Sequence, residues 1–477
     1  MRKILLMFLL LITTTSVVFA TKTRTQGMGL GNFDWALRGL ETYVYTNPAY
    51  AAKNSDRLYL ESTGNAVNQT EGGLFADMFG ATMGLYLGER TMTTFSSLYD
   101  TTGYTRQTNT ALSGQALEAS LGLTRRNFDL FFAKDLGNMS LGANLVFGIA
   151  QDSANFTNKQ DDTTAALDTV QNSARSEMEI GLTMGMNMKI GGLLESIDAA
   201  LSFGMPVVSN KFDITDTNVN ANAANIRNNS ETYETDGALN AALNLRANLN
   251  MGKTNTLHVN LVAKYTNDSS KHNAVEDVKD SVGTVVTDIK SQDAYERTGI
   301  SVSLGLADQL KVNKFLGLYA GLDVQFNTNS KKNDGSTNIA GTVTYDTGPV
   351  DNTATTINVP VFIGMEGELT TSWAVRFGLV HQALSLDIGE DRATTILAAD
   401  DTKVDTTTTT NNNIAVATTT FSVGASYKIN KFRLDWLANI DILREGTFLV
   451  SGNPTDFATQ IAATYYFGST SSPSKNK

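Results

Sequence analysis

The sequence has no cysteine and only three histidines among 477 residues. The absence of cysteine excludes disulfide frameworks, thiolate metal sites and cysteine nucleophiles, and it suits a chain that crosses an oxidising periplasm unfolded. The histidines show no metal-binding spacing, and the sequence has no Gly-x-Ser-x-Gly elbow and no phosphate-binding glycine loop. Catalysis would have to depend on His258, and a lone histidine is more often a wall residue. We therefore expect no enzyme activity, no cofactor and no metal site.

Long hydrophobic runs are missing after residue 20. Residues 1–20 combine a basic start at Arg2 and Lys3 with an apolar run, which predicts a cleaved secretory signal peptide rather than an anchor helix. Beyond it, the sequence offers no stretch of about eighteen apolar residues for a transmembrane helix. If the mature chain crosses a bilayer, it must do so with strands.

From about residue 115 onward, apolar and polar side chains alternate with a period of two. The segment 239–251 shows the pattern best, with apolar residues at the odd positions and Asn240, Asn244, Arg246 and Asn248 between them. A helix would scatter these residues around its circumference, so the pattern predicts strands with one apolar face. The polar faces of such strands supply these candidate lumen-facing residues: Asn240, Asn244, Arg246, Asn248, Glu366, Glu368, Arg433, Asp435 and Asp441.

The number and length of these strands favour a membrane barrel over a soluble sandwich, whose strands are usually shorter. Only helices and closed barrels satisfy every backbone hydrogen-bonding group in lipid. The sequence therefore predicts an all-β, transmembrane, antiparallel up-and-down β-barrel of about fourteen strands. Short alternating pieces at 80–89 and 91–99 make about sixteen strands the alternative.

Short turns alternate with five long segments rich in Thr, Asn, Ser and Asp, as in porin-type barrels with short periplasmic turns and long external loops. The predicted loops lie near 152–174, 212–235, 269–295, 329–354 and 389–413.

The net charge of −11 and the pI near 4.9 argue against nucleic-acid binding. Most of the excess negative charge falls in the predicted long loops. One interpretation is an acidic rim that binds cations shared with lipopolysaccharide or attracts cationic solutes; the other is solubility and protection of strand edges. We expect a bacterial outer-membrane location, with membrane lipid, lipopolysaccharide and a small-molecule solute as partners. The last strand, ending near Phe467, resembles the strand that the barrel-assembly machinery recognises, so that machinery is a further expected partner.

The segment before the barrel contains two motifs, Gly27-Met28-Gly29-Leu30-Gly31 and Asn47-Pro48-Ala49. Glycines permit tight reversals, and Asn-Pro-Ala reads as a turn. In this position the motifs resemble the start of the long-chain fatty-acid transporter (FadL/TodX-like) barrels. The resemblance implies that Asn47, Pro48 and Ala49 belong to a hatch inside the barrel and that hydrophobic substrates pass it toward a lateral opening. A chance Asn-Pro turn is the alternative, and the polar lumen-facing candidates would suit water-soluble solutes or the packing of a hatch.

The predicted organisation is a signal peptide (1–20), an N-terminal hatch-like segment and lead-in (21–114), a transmembrane β-barrel (115–468) and a polar C-terminal tail (469–477). The predicted function is a transport channel for passive uptake of small molecules, which the resemblance extends to hydrophobic compounds. The alternative is a non-transporting outer-membrane surface protein, an adhesin or secretion accessory that uses its long acidic Thr/Asn-rich loops.

Overall fold

The computed structural model describes most of the chain. The described residues are 22–30, 33–37, 41–63, 70–88, 126–158, 166–220, 223–279, 285–333, 336–339, 347–397, 402–414, 418–438 and 458–467.

A short N-terminal run of helical turns precedes eighteen strands that belong to one antiparallel sheet. The helical elements are α1 (Lys22–Gly27) and three 3-10 turns, Asp34–Ala36, Glu41–Val44 and Pro48–Lys53. The strands are β1 (Arg57–Thr63), β2 (Thr70–Met78), β3 (Ala81–Gly88), β4 (Arg126–Asp135), β5 (Met139–Asn158), β6 (Ala166–Gly191), β7 (Leu194–Asn220), β8 (Ala223–Asn250), β9 (Asn255–Lys279), β10 (Val285–Lys311), β11 (Leu316–Asn333), β12 (Ser336–Ile339), β13 (Thr347–Glu368), β14 (Trp373–Leu397), β15 (Thr402–Ile414), β16 (Thr419–Ile429), β17 (Phe432–Ala438) and β18 (Ala458–Tyr466).

The sheet closes on itself. Neighbouring strands pair in sequence order, and β18 pairs with β1 in a register that sets Arg57 opposite Tyr466. β12 pairs with β10 beyond the end of β11, and β15 pairs with β14 beyond the end of β16. Each of these short strands extends a neighbour and adds no new position to the wall, so sixteen strands surround the lumen. The all-β barrel is confirmed with the alternative count of sixteen rather than fourteen.

The barrel begins at Arg57 and not at residue 115, because β1, β2 and β3 fall within the segment predicted as hatch and lead-in. These strands have only 7, 9 and 8 residues, so the alternation in each is short. Their inward positions mix charged residues such as Glu61 and Glu71 with buried aromatic rings, and β3 corresponds to the alternating piece at 80–89 that belonged to the sixteen-strand alternative. The predicted signal peptide, the strand predicted near 115–124 and the polar tail lie outside the described residues.

The five long external segments, predicted as loops, are largely strands. β7 and β8 contain 27 and 28 residues, whereas about 9 to 11 tilted residues span the hydrocarbon. Alternation of apolar residues marks the part of a strand that contacts lipid. The hydrogen bonds between strands do not depend on lipid and can extend beyond that part. Threonine-rich and valine-containing segments therefore continue the ladders after the apolar pattern has ended.

The outer surface carries a band of exposed apolar side chains, among them Leu243, Leu261, Leu304 and Val324. At the end with short turns, Trp373 packs edge-on against Trp436 with ring centroids 5.6 Å apart. An apolar band with aromatic residues at its edge is typical of a barrel surrounded by lipid. Among the described residues, no helix is both long and apolar enough to span a membrane.

Candidate functional site: the plug in the barrel lumen

The N-terminal segment lies inside the barrel. We call the described residues between 22 and 54 the plug. Its α1 helix packs against β14, β16, β17 and β18, and its turn Pro48–Lys53 packs against β3, β4, β5 and β6. Met28, Leu30 and Asn47 are completely buried. The plug therefore contacts strands at widely separated positions around the wall.

Glycines on the inner wall make room for the plug. A β-carbon on Gly142 would overlap the backbone of Pro48 and Ala49, and one on Gly378 would overlap Met28 and Gly29. The same close approach occurs at further wall positions: Gly185 against Asn47, Gly305 against Trp35, Gly364 against Met28 and Gly424 against Gly27. Any larger residue at these positions would collide with the plug.

Gly29 reverses the chain after α1. Its φ of 68° lies in the left-handed region that favours glycine, and its Cα faces the backbone at Gly378 and Leu379. Close contact with Gly424 explains Gly27, and the tight reversal explains Gly29, which are the first two glycines of the motif. Gly31 lies outside the described residues.

Asn47, Pro48 and Ala49 start the last turn of the plug and attach it to the wall. The Asn47 Oδ1 accepts a hydrogen bond from the Ala49 N–H at 3.1 Å, while its Nδ2 donates to the carbonyl of Met186 on β6 at 2.9 Å. Pro48 follows at the first helical position, where its missing N–H costs no hydrogen bond. One asparagine thus caps the turn and binds the wall.

A buried ionic network forms the first polar contact between wall and plug. Asp198 on β7 accepts from Arg246 Nε on β8 at 2.8 Å and from the Tyr50 hydroxyl of the plug at 3.0 Å. Asn187 and Asn248 donate to the same carboxylate at 2.5 and 3.2 Å. The carboxylate is saturated with donors, which is what a buried charge requires.

Arg246 contacts more residues of the plug than Asp198 does. Its Nη1 donates to the carbonyls of Trp35 and Leu37 at 2.9 and 3.2 Å, and its guanidinium lies 3.9 Å from the centre of the Tyr43 ring. Burial raises the pKa of Tyr50 to about 12, so its hydroxyl stays protonated and donates to Asp198. A single wall arginine therefore holds three parts of the plug.

Two further polar contacts hold α1. Arg24 donates to Glu366 on β13 at 2.6 Å, and Glu366 also accepts from Arg376 on β14 at 2.9 Å. Arg376 in turn pairs with Asp435 on β17 at 2.9 Å. Alternating charges extend from the plug across the wall, so each buried charge has an opposite neighbour.

The second contact of α1 is at Glu61 on β1. Its Oε1 accepts from both the backbone N–H and the hydroxyl of Thr23 at 2.8 Å, and from Gln460 on β18 at 2.8 Å. Glu61 thus ties the plug to the two strands whose pairing closes the barrel.

Two aromatic clusters complete the packing. Phe33 stacks on Phe362 of β13 with centroids 4.5 Å apart, and Trp35 meets the same ring edge-on. On the other side of the lumen, Tyr45 packs edge-on against Tyr86 and Phe131. Aromatic residues at both ends of the plug bury large apolar areas against the wall.

The structure brings most of the predicted lumen-facing residues to this site. Asn240, Arg246, Asn248 and Asp435 are buried, and Asn244 accepts a hydrogen bond from the Tyr43 hydroxyl at 3.1 Å. Glu366 and Arg433 belong to the charged group that includes Arg376 and Asp435. Glu368 is exposed at the short-turn end of β13, and Asp441 lies outside the described residues.

Sequence reasoning missed the partners of these residues: Tyr50, Glu61, Asp198 and Arg376. Asp198 carried one usable signal, since it is the only charged residue between positions 196 and 210 and lies on the same face as Ser196 and Ser202. A charge on that face has to find a partner inside the lumen.

The sequence pointed to His258 as the residue on which catalysis would depend. His258 is a buried wall residue whose Nδ1 lies 2.6 Å from Oδ1 of Asn248. Within the described ranges, no group of three or more His, Asp or Glu side chains is placed to bind a metal ion.

The closed antiparallel sheet, its apolar outer band, its short turns at one end and its long hairpins at the other define a bacterial outer-membrane β-barrel. The lumen of this barrel holds an N-terminal plug.

No protein-family model matches the sequence, and no curated protein matches it either. Among solved structures, the chain is similar to the outer membrane protease OmpT from Escherichia coli, with 11% identity, 61% of this chain and 96% of that chain covered, and a TM-score of 0.23. It is similar to the translocator domain of the autotransporter NalP from Neisseria meningitidis, with 11% identity, coverage of 78% and 88%, and a TM-score of 0.22. The FrpB iron transporter from Neisseria meningitidis (F5-1 variant) gives 7% identity, coverage of 86% and 81%, and a TM-score of 0.27. No functional conclusion follows from similarity of this degree.

Proposed function

We propose that the protein is an outer-membrane channel for passive uptake of small molecules and that the plug is its gate. In this proposal the barrel is not an enzyme, and the plug is a hatch that includes Asn47, Pro48 and Ala49. The observation that supports it most directly is the match between wall glycines and plug backbone. Gly142, Gly378 and Gly424 leave space that the plug occupies.

The contacts between plug and wall suit a removable body. They are side-chain hydrogen bonds, ion pairs and aromatic contacts, whereas the barrel is held by continuous backbone ladders. Side-chain contacts can break without disturbing the ladders. The plug could therefore move or loosen while the barrel stays closed.

Deleting residues 22–54 tests whether the plug occludes the lumen. The shortened barrel is expected to show higher single-channel conductance in planar bilayers than the full mature chain. Circular dichroism and heat-dependent migration on gels establish that the barrel has formed. Equal conductance of the two proteins would contradict the proposal.

A hydrophobic route, as the family resemblance implies, would need a lateral passage through the wall. The longest interruption within one described ladder lies between β7 and β8, where residues 205–208 pair with β6 but have no partners on β8. Pro206 lies in this interruption, and the exposed side chains of Met205 and Val207 flank it. Proline cannot donate to a ladder, so this part of the wall is the weakest place for such a route.

The second candidate function is that of a surface protein which binds a partner. The feature that favours it is the length of β6, β7, β8, β9 and β10, which extend well beyond a membrane span. Replacing residues 211–232 with a short turn would shorten one hairpin. Binding to host cells or to a secreted partner is then expected to fall while conductance stays the same; the channel proposal expects unchanged binding.

A further inference from the structure

One row of cross-strand neighbours lines the lumen on the long-hairpin side of the plug. Each member pairs in register with the next, on eight neighbouring strands, β5 to β11 and β13. We call this row the polar belt: Asn144, Thr183, Ser202, Ala242, Lys264, Ser301, Asn327 and Thr356.

The polar belt begins beside the plug and winds away from it. On β5 and β6, Asn144 and Thr183 are the next inward positions after Gly142 and Gly185, which contact the plug. On β11, Asn327 lies farther from the short turn, because rows of paired residues spiral around a barrel of tilted strands. Asn144, Thr183 and Ser202 are buried, whereas Ser301, Asn327 and Thr356 are partly exposed. A solute that approaches the plug from the long-hairpin end would therefore meet the β9 to β13 part of the row first.

The chemistry of the belt is that of hydroxyls and amides. Six of its members carry such groups, and Lys264 is its charged member. In the next row outward, Asn240, Thr266 and Asn329 carry the same groups, whereas the other members are Val146, Gly181, Gly204, Gly299 and Ala354. Hydroxyls and amides both donate and accept, which matches solutes that present many hydroxyl groups.

Two of these amides have hydrogen-bonding capacity to spare. Asn240 is completely buried, and neither its Oδ1 nor its Nδ2 has a hydrogen-bond partner among the described residues. Asn144 is 1% exposed, and its Oδ1 likewise lacks a partner there. Buried polar atoms are normally satisfied, so these amides would gain hydrogen bonds from a solute once movement of the plug opens this part of the lumen.

We propose that the polar belt and Asn240 form a binding track for uncharged, hydroxyl-rich solutes such as small sugars. This inference rests on the proposed channel function and names the class of solute. An acyl chain gains nothing here, because its methylene groups would leave the amides and hydroxyls unsatisfied. Ions gain little, because one ammonium group on the belt provides no ring of charge to select them.

The test uses the full mature chain in liposomes, with entry of sucrose, entry of oleate and potassium chloride conductance as separate measurements. Sucrose is expected to enter, and oleate entry is expected to match that of protein-free liposomes. Asn327→Leu is expected to slow sucrose entry about three- to tenfold, as the loss of one or two hydrogen bonds would do. Potassium chloride conductance, measured on each variant, establishes that the channel has formed.

A second variant and a matched control guard against misfolding. Thr183→Val keeps the shape of the side chain, removes the hydroxyl that donates to Ser202 at 3.0 Å, and is also expected to slow sucrose entry. Asn267→Leu is the control, since Asn267 lies on the lipid side of β9 between inward-facing Thr266 and Asp268. Equal sucrose entry in all three variants would overturn the inference, and so would entry of oleate without entry of sucrose. Neither outcome would contradict the proposed channel function. Absence of both conductance and solute entry would defeat the channel proposal and this inference with it.

Discussion

Arg246 on β8 and Asp198 on β7 form an ion pair with an Nε to Oδ2 distance of 2.8 Å, and both side chains are almost completely buried. The plug covers this pair, because Tyr50 bonds to both residues. A buried pair is costly to break from one side, since the remaining charge loses its partner. The pair therefore couples the stability of the wall to the position of the plug.

Replacing Arg246 with Gln should release the plug. The variant loses the ion pair and the bonds to the carbonyls of Trp35 and Leu37. Loss of one partner of a buried pair costs about 3 to 5 kcal/mol. Most of this cost should appear as a less favourable free energy of plug docking. Conductance is expected to rise. The control is Arg433→Gln, since Arg433 bonds to the wall carboxylate of Asp435; an equal rise in the control would show that the effect is not specific to the plug.

Adding one methyl group at Gly185 should also displace the plug. A β-carbon there would collide with the amide of Asn47, whereas one at Gly237 on the same barrel would meet no atom within 4 Å. Overpacking of this kind costs about 1 to 3 kcal/mol. Gly185→Ala is expected to raise conductance and to make the plug more susceptible to protease, with Gly237→Ala as the matched control. Identical behaviour of the two variants would mean that the plug does not occupy this part of the lumen.

Tyr50 should make plug docking sensitive to alkaline pH. Its ordinary pKa of 10.0 applies when the plug is released and the hydroxyl meets water, and burial raises it to about 12 when the plug is docked. The docked state therefore holds the proton more tightly. Its contribution to docking is fully present below pH 10 and is lost as the pH rises to about 12.

Conductance measured across this pH range is expected to increase in the unchanged protein and to vary less in Tyr50→Phe, which has no hydroxyl to titrate. A pH dependence that is the same in both proteins would assign the titration to other groups.

Trp35 can report on the plug alone. The chain has three tryptophans, and Trp373→Phe with Trp436→Phe removes the two on the outer face. Trp35 is 5% exposed, so its emission should be blue-shifted and protected from acrylamide.

During a urea titration of this double variant, the emission of Trp35 is expected to shift before the β-sheet signal in circular dichroism is lost. Side-chain contacts hold the plug, whereas complete backbone ladders hold the barrel, so the plug should unfold locally first. Coincident transitions would show that plug and barrel unfold as one unit.

The sequence was sufficient to predict the barrel. Alternation along segments such as 239–251 records which side chains meet lipid, and that environment acts on each residue separately. It also predicted that Asn240, Arg246 and Asp435 lie on the face opposite to the lipid. The prediction weakened where strands were short, as in β1 and β2, and where strands continued beyond the lipid, as in β7 and β8.

The contacts of the plug were decided by tertiary structure. Asp198 and Arg246 are 48 residues apart, and which wall residues meet depends on the register of each strand and on the tilt that winds paired rows around the barrel. The glycines at 142, 185 and 378 carry no signal of their partners, because their role is to leave space for a plug segment that is distant in the sequence. Lipid exposure is a property of single side chains and can be read along the sequence, whereas the fit of a plug is a property of surfaces that exist only once the sheet has closed.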